Sequence, residues 1–248
     1  MIRNQVLPTN AGSRSVIFRL GIVTAVLFTA TLPARSTVEF YDGAFNLADW
    51  QTTPYYWGNG GSITLSQINS GVNPGQFLEI DHFLQSGATN SVVYGLHTRN
   101  GATYTPSVQG EITAVDFSIH FENLHTTGMG HGFAFALRQD GNIYHVFQSL
   151  SGTVPGWQQD MHLGLQETSF GLMTPIETTF IIDFNYHPDF SSTGSQIEFG
   201  LATWNAGKTS IHKIVGYDNW TVTVIPEPAT FAILALGSLI LKTRKKHK

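Results

Sequence analysis

A period of two runs through the middle of this chain and constrains its fold more tightly than any other feature. In 113–122, Val115, Phe117, Ile119 and Phe121 share one face, while Asp116, Ser118, His120 and Glu122 share the other. Successive strand side chains point to opposite faces, so such a segment reads as a half-buried β-strand and not as an amphipathic helix. The pattern recurs at 132–138 (Phe133, Phe135, Leu137), 178–186 (Phe180, Ile182, Phe184, Tyr186), 195–203 (Ile197, Phe199, Leu201) and 220–224. Further strands are expected at 62–68, 76–82 and 91–97. Asp140-Gly141, between 132–138 and 142–147, predicts a tight hairpin because both residues tolerate positive φ. About eight to eleven strands separated by Gly, Pro and Asn turns imply one antiparallel β-sandwich, each sheet apolar on one face and polar on the other. An immunoglobulin-like sandwich is the alternative; one copy needs only about 100 residues, and no internal repeat divides this chain in two.

The chain has no cysteine, so the sandwich relies on its core without disulfides, and thiolate metal sites are excluded. Both ends differ from the middle. Arg14 and Arg19 precede an apolar stretch from Leu20 to Leu32; Pro33 breaks it, and small residues at Ala34 and Ser36 permit cleavage there. Residues 1–36 therefore read as a secretory signal peptide. At the other end Pro226-Glu227-Pro228 precedes the apolar run Ala229–Leu241 and a tail of Lys, Arg and His. That run would rise about 20 Å as a helix against a hydrocarbon core of about 30 Å, which suits a pause in the membrane better than a permanent anchor. The basic tail should stay cytoplasmic and leave everything before Pro226 outside.

Pro-Glu-Pro, a short apolar helix and a basic end, in that order, resemble the sorting signal of the PEP-CTERM proteins of Gram-negative bacteria. The likeness covers only 224–248. It implies export through the Sec translocon, transient anchoring in the inner membrane, and recognition by an exosortase at Pro226, Glu227 and Pro228. Release to the cell surface or extracellular matrix follows, with exopolysaccharide as a partner. The remaining 37–223 form the expected sandwich domain, large enough for a full core. Between the ends only Arg99, Arg138, Lys208 and Lys213 are basic, which argues against nucleic acid, whose binding needs clustered cations.

The strand pattern, with Asp42…Trp50, Asn73-Pro74-Gly75-Gln76-Phe77-Leu78 and Asp218-Asn219-Trp220-Thr221-Val222, looks like the concanavalin A-like jelly rolls. Within that group Glu79-Ile80-Asp81-His82-Phe83 resembles the catalytic strand of laminarinase-like glycoside hydrolases, whose motif is Glu-x-Asp followed by a second Glu. Here Phe83 and Leu84 stand where the second Glu should fall. A retaining mechanism needs both carboxylates, so no catalytic residue is assigned.

Carbohydrate recognition instead requires aromatic faces to stack on sugar C–H groups and carboxylates, amides or imidazoles to bind hydroxyls. Trp57, Trp157 and Trp204 are the candidates of the first kind; Asp116, His120, His145, Asp183 and Asn185 are those of the second, read as a shallow polar sheet face. Asp116 and Glu122 stand about 20 Å apart along one strand and cannot act on one bond. His125, His131 and Glu122 flank a Gly-rich loop but match no zinc spacing, and no metal site is assigned. Calcium fits jelly-roll loops, although no loop here is densely acidic. The sequence thus points to an exported envelope or matrix protein whose non-catalytic sandwich holds polysaccharide. The alternative is a glycoside hydrolase or lyase on the same fold.

Overall fold

The computed structural model describes residues 36–69, 75–87, 89–124, 131–147, 149–151 and 155–228. The signal helix and the apolar C-terminal helix expected from the sequence lie outside them. Among the described residues no helix is long and apolar enough to cross a membrane.

The described strands are β1 (Val38–Asp42), β2 (Trp50–Trp57), β3 (Gly61–Ile68), β4 (Phe77–Leu84), β5 (Ser91–Tyr104), β6 (Ile112–Asn123) and β7 (His131–Gln139). They continue with β8 (Asn142–His145), β9 (Ser149–Ser151), β10 (Gln158–Leu165), β11 (Gly171–Ile176), β12 (Thr179–Asp183), β13 (Ile197–Gly207) and β14 (Ile211–Pro226). One sheet runs β10-β6-β14-β4-β3, with β1 also paired to β14; the other runs β12-β11-β8-β7-β13-β5-β2, with β9 beside β7. Their pairings are antiparallel, and the whole is a jelly-roll β-sandwich. The expected Asp-Gly hairpin joins β7 to β8: Asp140 and Gly141 have φ of 52° and 78°, the double positive φ of a primed turn. The segment expected to run to Tyr186 stops at Asp183, whose Oδ1 accepts from the Asn185 backbone N–H and turns the chain. The last strand is longer than 220–224 and continues to Pro226, opposite Ile112, so the sandwich extends past residue 223.

Val115, Phe117, Ile119 and Phe121 of β6 face Phe133, Phe135 and Leu137 of β7 between the sheets, all of them buried. Phe117 stacks on Phe135 at 4.6 Å and Phe121 meets Phe133 at 4.8 Å. Each such side chain contributes about 1.5–3 kcal/mol by leaving water. Asp42 explains the early Asp…Trp pair. Its carboxylate accepts from Phe45 N (2.7 Å), Ala44 N (3.0 Å), Trp50 Nε1 (2.9 Å) and Arg99 Nε (3.1 Å). Burial alone would raise its pKa; those four donors outweigh burial and hold it below the usual carboxylate range. They also hold Phe45 at φ 48°, a conformation a bulky residue avoids, with its ring stacked on Trp50.

One end of the interior is polar. His97 Nδ1 lies 3.0 Å from Thr52 Oγ1 and its Nε2 2.8 Å from Thr203 Oγ1; His82 Nε2 is 3.0 Å from the same hydroxyl. The Asn205 amide nitrogen reaches His82 Nδ1 and His131 Nδ1. An amide NH₂ only donates, so both Nδ1 atoms are acceptors. His82 then donates through Nε2 to Thr203, Thr203 donates to His97 Nε2, and His97 donates through Nδ1 to Thr52. One assignment of neutral tautomers is consistent with these five contacts. Burial lowers all three imidazoles, His97 and His131 to about 3. His131, which the sequence places beside a Gly-rich loop, is the fully buried start of β7.

Candidate functional site

Over its middle strands the second sheet is apolar on its outer face as well as its inner one, contrary to the simple two-face expectation. The first residues of β7 alternate Phe133 and Phe135 inward with Gly132, Ala134 and Ala136 outward, and Ala202 of β13 sits opposite Ala134. The outer floor is therefore nearly bare along the middle strands. Gly132 has a specific reason to lack a side chain, since an added Cβ would lie 2.4 Å from the Trp204 indole. On this floor lie Tyr94, Leu96, Ile143 and Met173, flanked by Tyr55, Trp57, Phe180, Ile182 and Trp204.

These contacts require the sheet to curl. From β5 to β12 there are five strand spacings, about 24 Å across a flat sheet. Yet the rings of Tyr94 (β5) and Phe180 (β12) are 4.9 Å apart, and Phe180 also meets Trp57 at 5.9 Å and Trp204 at 5.8 Å. The β11–β12 hairpin thus folds back over the outer face and closes a second, smaller aromatic core.

At one end that core opens into a cavity of about 190 Å³, lined by Val146, Phe147, Phe180, Ile182 and Phe184 together with His145 and Trp204. Phe147 stands 74% exposed and Phe184 41% exposed. His145 is 1% exposed and lies face to face with Trp204 at 5.5 Å. Its Nδ1 donates to the Val146 carbonyl (2.9 Å), which leaves Nε2 as a bare acceptor. That atom is buried with no hydrogen-bond partner among the described residues, and so is the Tyr94 hydroxyl, whose ring is 6.3 Å from His145. Burial pulls the His145 imidazole down to about 4, the Val146 bond acting the other way, and pushes the Tyr94 hydroxyl up. Orphaned buried polar atoms are rare and call for a ligand or water to complete them.

The residues proposed from sequence as one shallow polar face divide between the two sheets. Trp57, His145 and Trp204 converge on the curled face. Asp116, His120 and Trp157 belong to the first sheet and are each engaged there. Asp116 accepts from Gly164 N across β6–β10 (2.7 Å), His120 contacts Asn219 (3.3 Å), and Trp157 packs on Phe77 at 5.4 Å. Asp183 and Asn185 bond each other in the turn after β12, and His187 bonds the Phe170 carbonyl. Phe147, Phe180, Ile182 and Phe184, which line the cavity, were not among the candidates drawn from the sequence. The alternation in 178–186 marked three of them as apolar, but nothing local separates a residue of the main core from one of a curled outer face.

The hydrolase-like strand is β4. Asp81 is bonded by His212 (2.8 Å), and burial, then the charge of Asp81, raises the Glu79 carboxyl. Gly216 of β14 pairs with Glu79 on one side and Glu122 on the other, two strand spacings or about 10 Å of backbone between the carboxylate-bearing residues. That separation approaches the range of an inverting pair. The space over Gly216 is filled, however: a Cβ there would meet Trp157 at 3.1 Å and Phe77 at 3.2 Å. Among the described residues no three His, Asp or Glu side chains are grouped to hold a metal ion.

No family profile matches this sequence, and no curated protein matches it. Several solved structures align with it over most of its length. A family 11 carbohydrate-binding module from Clostridium thermocellum, in complex with a β-1,3-1,4-mixed-linked tetrasaccharide, aligns over 76% of this chain and 95% of its own, with 10% identity and a TM-score of 0.45. The family 30 carbohydrate-binding module of a cellulosomal cellulase of the same organism aligns over 70% and 90%, with 12% identity and a TM-score of 0.39. The enzymatically active domain of tailspike protein 4 from bacteriophage CBA120 aligns over 73% of this chain but 20% of its own, with 8% identity and a TM-score of 0.40.

Proposed function

We propose that this domain is a non-catalytic module that binds polysaccharide at the open end of its curled sheet. The observation that carries the reading is the union of exposed aromatic surface at Phe147 and Phe184 with a buried, unpartnered imidazole acceptor at His145. Aromatic faces supply stacking area, and an unpaired buried acceptor is satisfied when a ligand hydroxyl donates to it. The hydrolase alternative needs open space between Glu79 and Glu122, and Trp157 with Phe77 fills that space. The test is binding to a polysaccharide array. Wild-type protein should bind, Trp204→Ala should lose at least tenfold in affinity, and Trp157→Ala, on the other sheet, should bind like wild type. Equal loss in both variants, or release of reducing ends on incubation, overturns the assignment.

The same reading puts the domain outside the cell. The signal at 1–36 and the Pro226-Glu227-Pro228 tag make it a substrate of the Sec translocon and then of an exosortase. Support comes from β14 ending at Pro226, so that Pro228 already lies exposed beyond the last strand. Intact-mass measurement with and without an exosortase tests this; an uncut Lys248 terminus in both cases removes it.

A further inference from the structure

We propose that the cavity beside His145 selects a 6-deoxy sugar, with the methyl group seated among the aromatic rings and the neighbouring hydroxyl donating to His145 Nε2. The inference rests on the polysaccharide-binding reading and narrows it to one class of sugar.

Size gives the first argument. Whole-ligand sites measure about 300–1,000 Å³, and liquid water occupies about 30 Å³ per molecule. A cavity of about 190 Å³ holds the edge of one ring and not a run of several. Chemistry gives the second. Apart from His145 and Trp204, every lining side chain is hydrocarbon. A hexose that placed its C6 hydroxyl there would strip that hydroxyl of water without replacing its bonds, whereas a methyl group in the same position gains burial.

The polarity of the one buried anchor gives the third. Because Nδ1–H is engaged by the Val146 carbonyl, Nε2 can only accept. At 1% exposure it has no partner among the described residues, and a hydroxyl donor brought into the cavity would complete it. A 6-deoxyhexose presents this combination on adjacent carbons, a methyl on C5 and a hydroxyl on C4. An acetamido group would bring its carbonyl into the same space, where His145 Nδ1–H is already bonded to the Val146 carbonyl and the other side-chain donor, the indole nitrogen of Trp204, lies against Gly132. Burial keeps the imidazole neutral near pH 7, so the acceptor persists under ordinary conditions.

Matched pairs of methyl glycosides, titrated calorimetrically into purified full-length protein near pH 7, test this: quinovose against glucose, fucose against L-galactose, and rhamnose against L-mannose, with N-acetylglucosamine alongside. An apolar pocket discriminates against one added hydroxyl by about 10- to 100-fold, so at least one 6-deoxy member should bind that much more tightly than its parent. His145→Ala should weaken the deoxy sugar by tenfold or more. Phe147→Ala, at a position 74% exposed, should reduce the discrimination within the pair. Parents that bind as well as their deoxy partners, or tighter binding of N-acetylglucosamine, overturn the proposal while leaving polysaccharide binding intact. If neither these sugars nor any arrayed polysaccharide binds, the parent reading fails and this one with it.

Discussion

Acid should destabilise the sandwich far above the pH at which its carboxylates titrate, because its interior histidines must stay neutral. His97 and His131 have folded pKa values of about 3, set first by burial, against about 6.5 when unfolded. A depressed pKa means that the unfolded chain binds more protons between those values, so stability is full above about 6.5 and is lost as pH falls toward 3. Between pH 7 and pH 5 each group forfeits about 2 kcal/mol, about 4 kcal/mol together. His82 and His145, also lowered, act with the same sign. His162 opposes them: its bond to Asp160 raises its pKa, so its contribution grows on acidification, but a pair of this kind near the surface is worth at most about 1 kcal/mol. Asp42, held low by its donors, remains ionised throughout this window. For a domain of this size 1 kcal/mol moves Tm by about 2–4 °C, so circular-dichroism melts should show a fall of about 8–16 °C from pH 7 to pH 5. A Tm that stays level over that interval would refute the neutral Thr52–His97–Thr203–His82–Asn205 network.

Asp42→Ala removes one carboxylate from four donors, including buried Trp50 Nε1 and charged Arg99, and should cost about 3 kcal/mol, measured as a lower urea midpoint at unchanged m-value. Gly132→Val should force the Trp204 indole from its place, because even a Cβ would stand 2.4 Å from it; polysaccharide affinity should fall at least tenfold while the main core, on the other face of β7, stays folded by near-ultraviolet dichroism. Wild-type affinity in that variant would show that Trp204 takes no part in binding.

The main sandwich was legible in the sequence because one face of β6 and one of β7 obey a strict period of two, and the Asp140-Gly141 turn fixes their neighbour. Strand β10 was not legible. It lies at a sheet edge, and its exposed Met161 and Leu163 alternate with half-buried polar residues, the reverse of the usual signal. The site was half legible. Trp57, His145 and Trp204, singled out for their chemistry, come together on the curled face, but a polar or aromatic residue on an alternating strand does not reveal which sheet carries it, and so Asp116, His120 and Trp157 were grouped with them. The curl that assembles the site depends on Gly132, Ala134, Ala136 and Ala202, whose small side chains leave a floor for Phe180. That is a property of four strands side by side, and it has no signature along any one of them.

The most direct measurement is a hydrogen-exchange footprint of bound polysaccharide on the full-length protein. Protection confined to 143–147, 180–186 and the neighbourhood of Trp204 is expected if the curled sheet is the binding face. Protection instead along 116–122 and 157–162, with the segments around His145 exchanging as in the free protein, would place the ligand on the opposite sheet and contradict it.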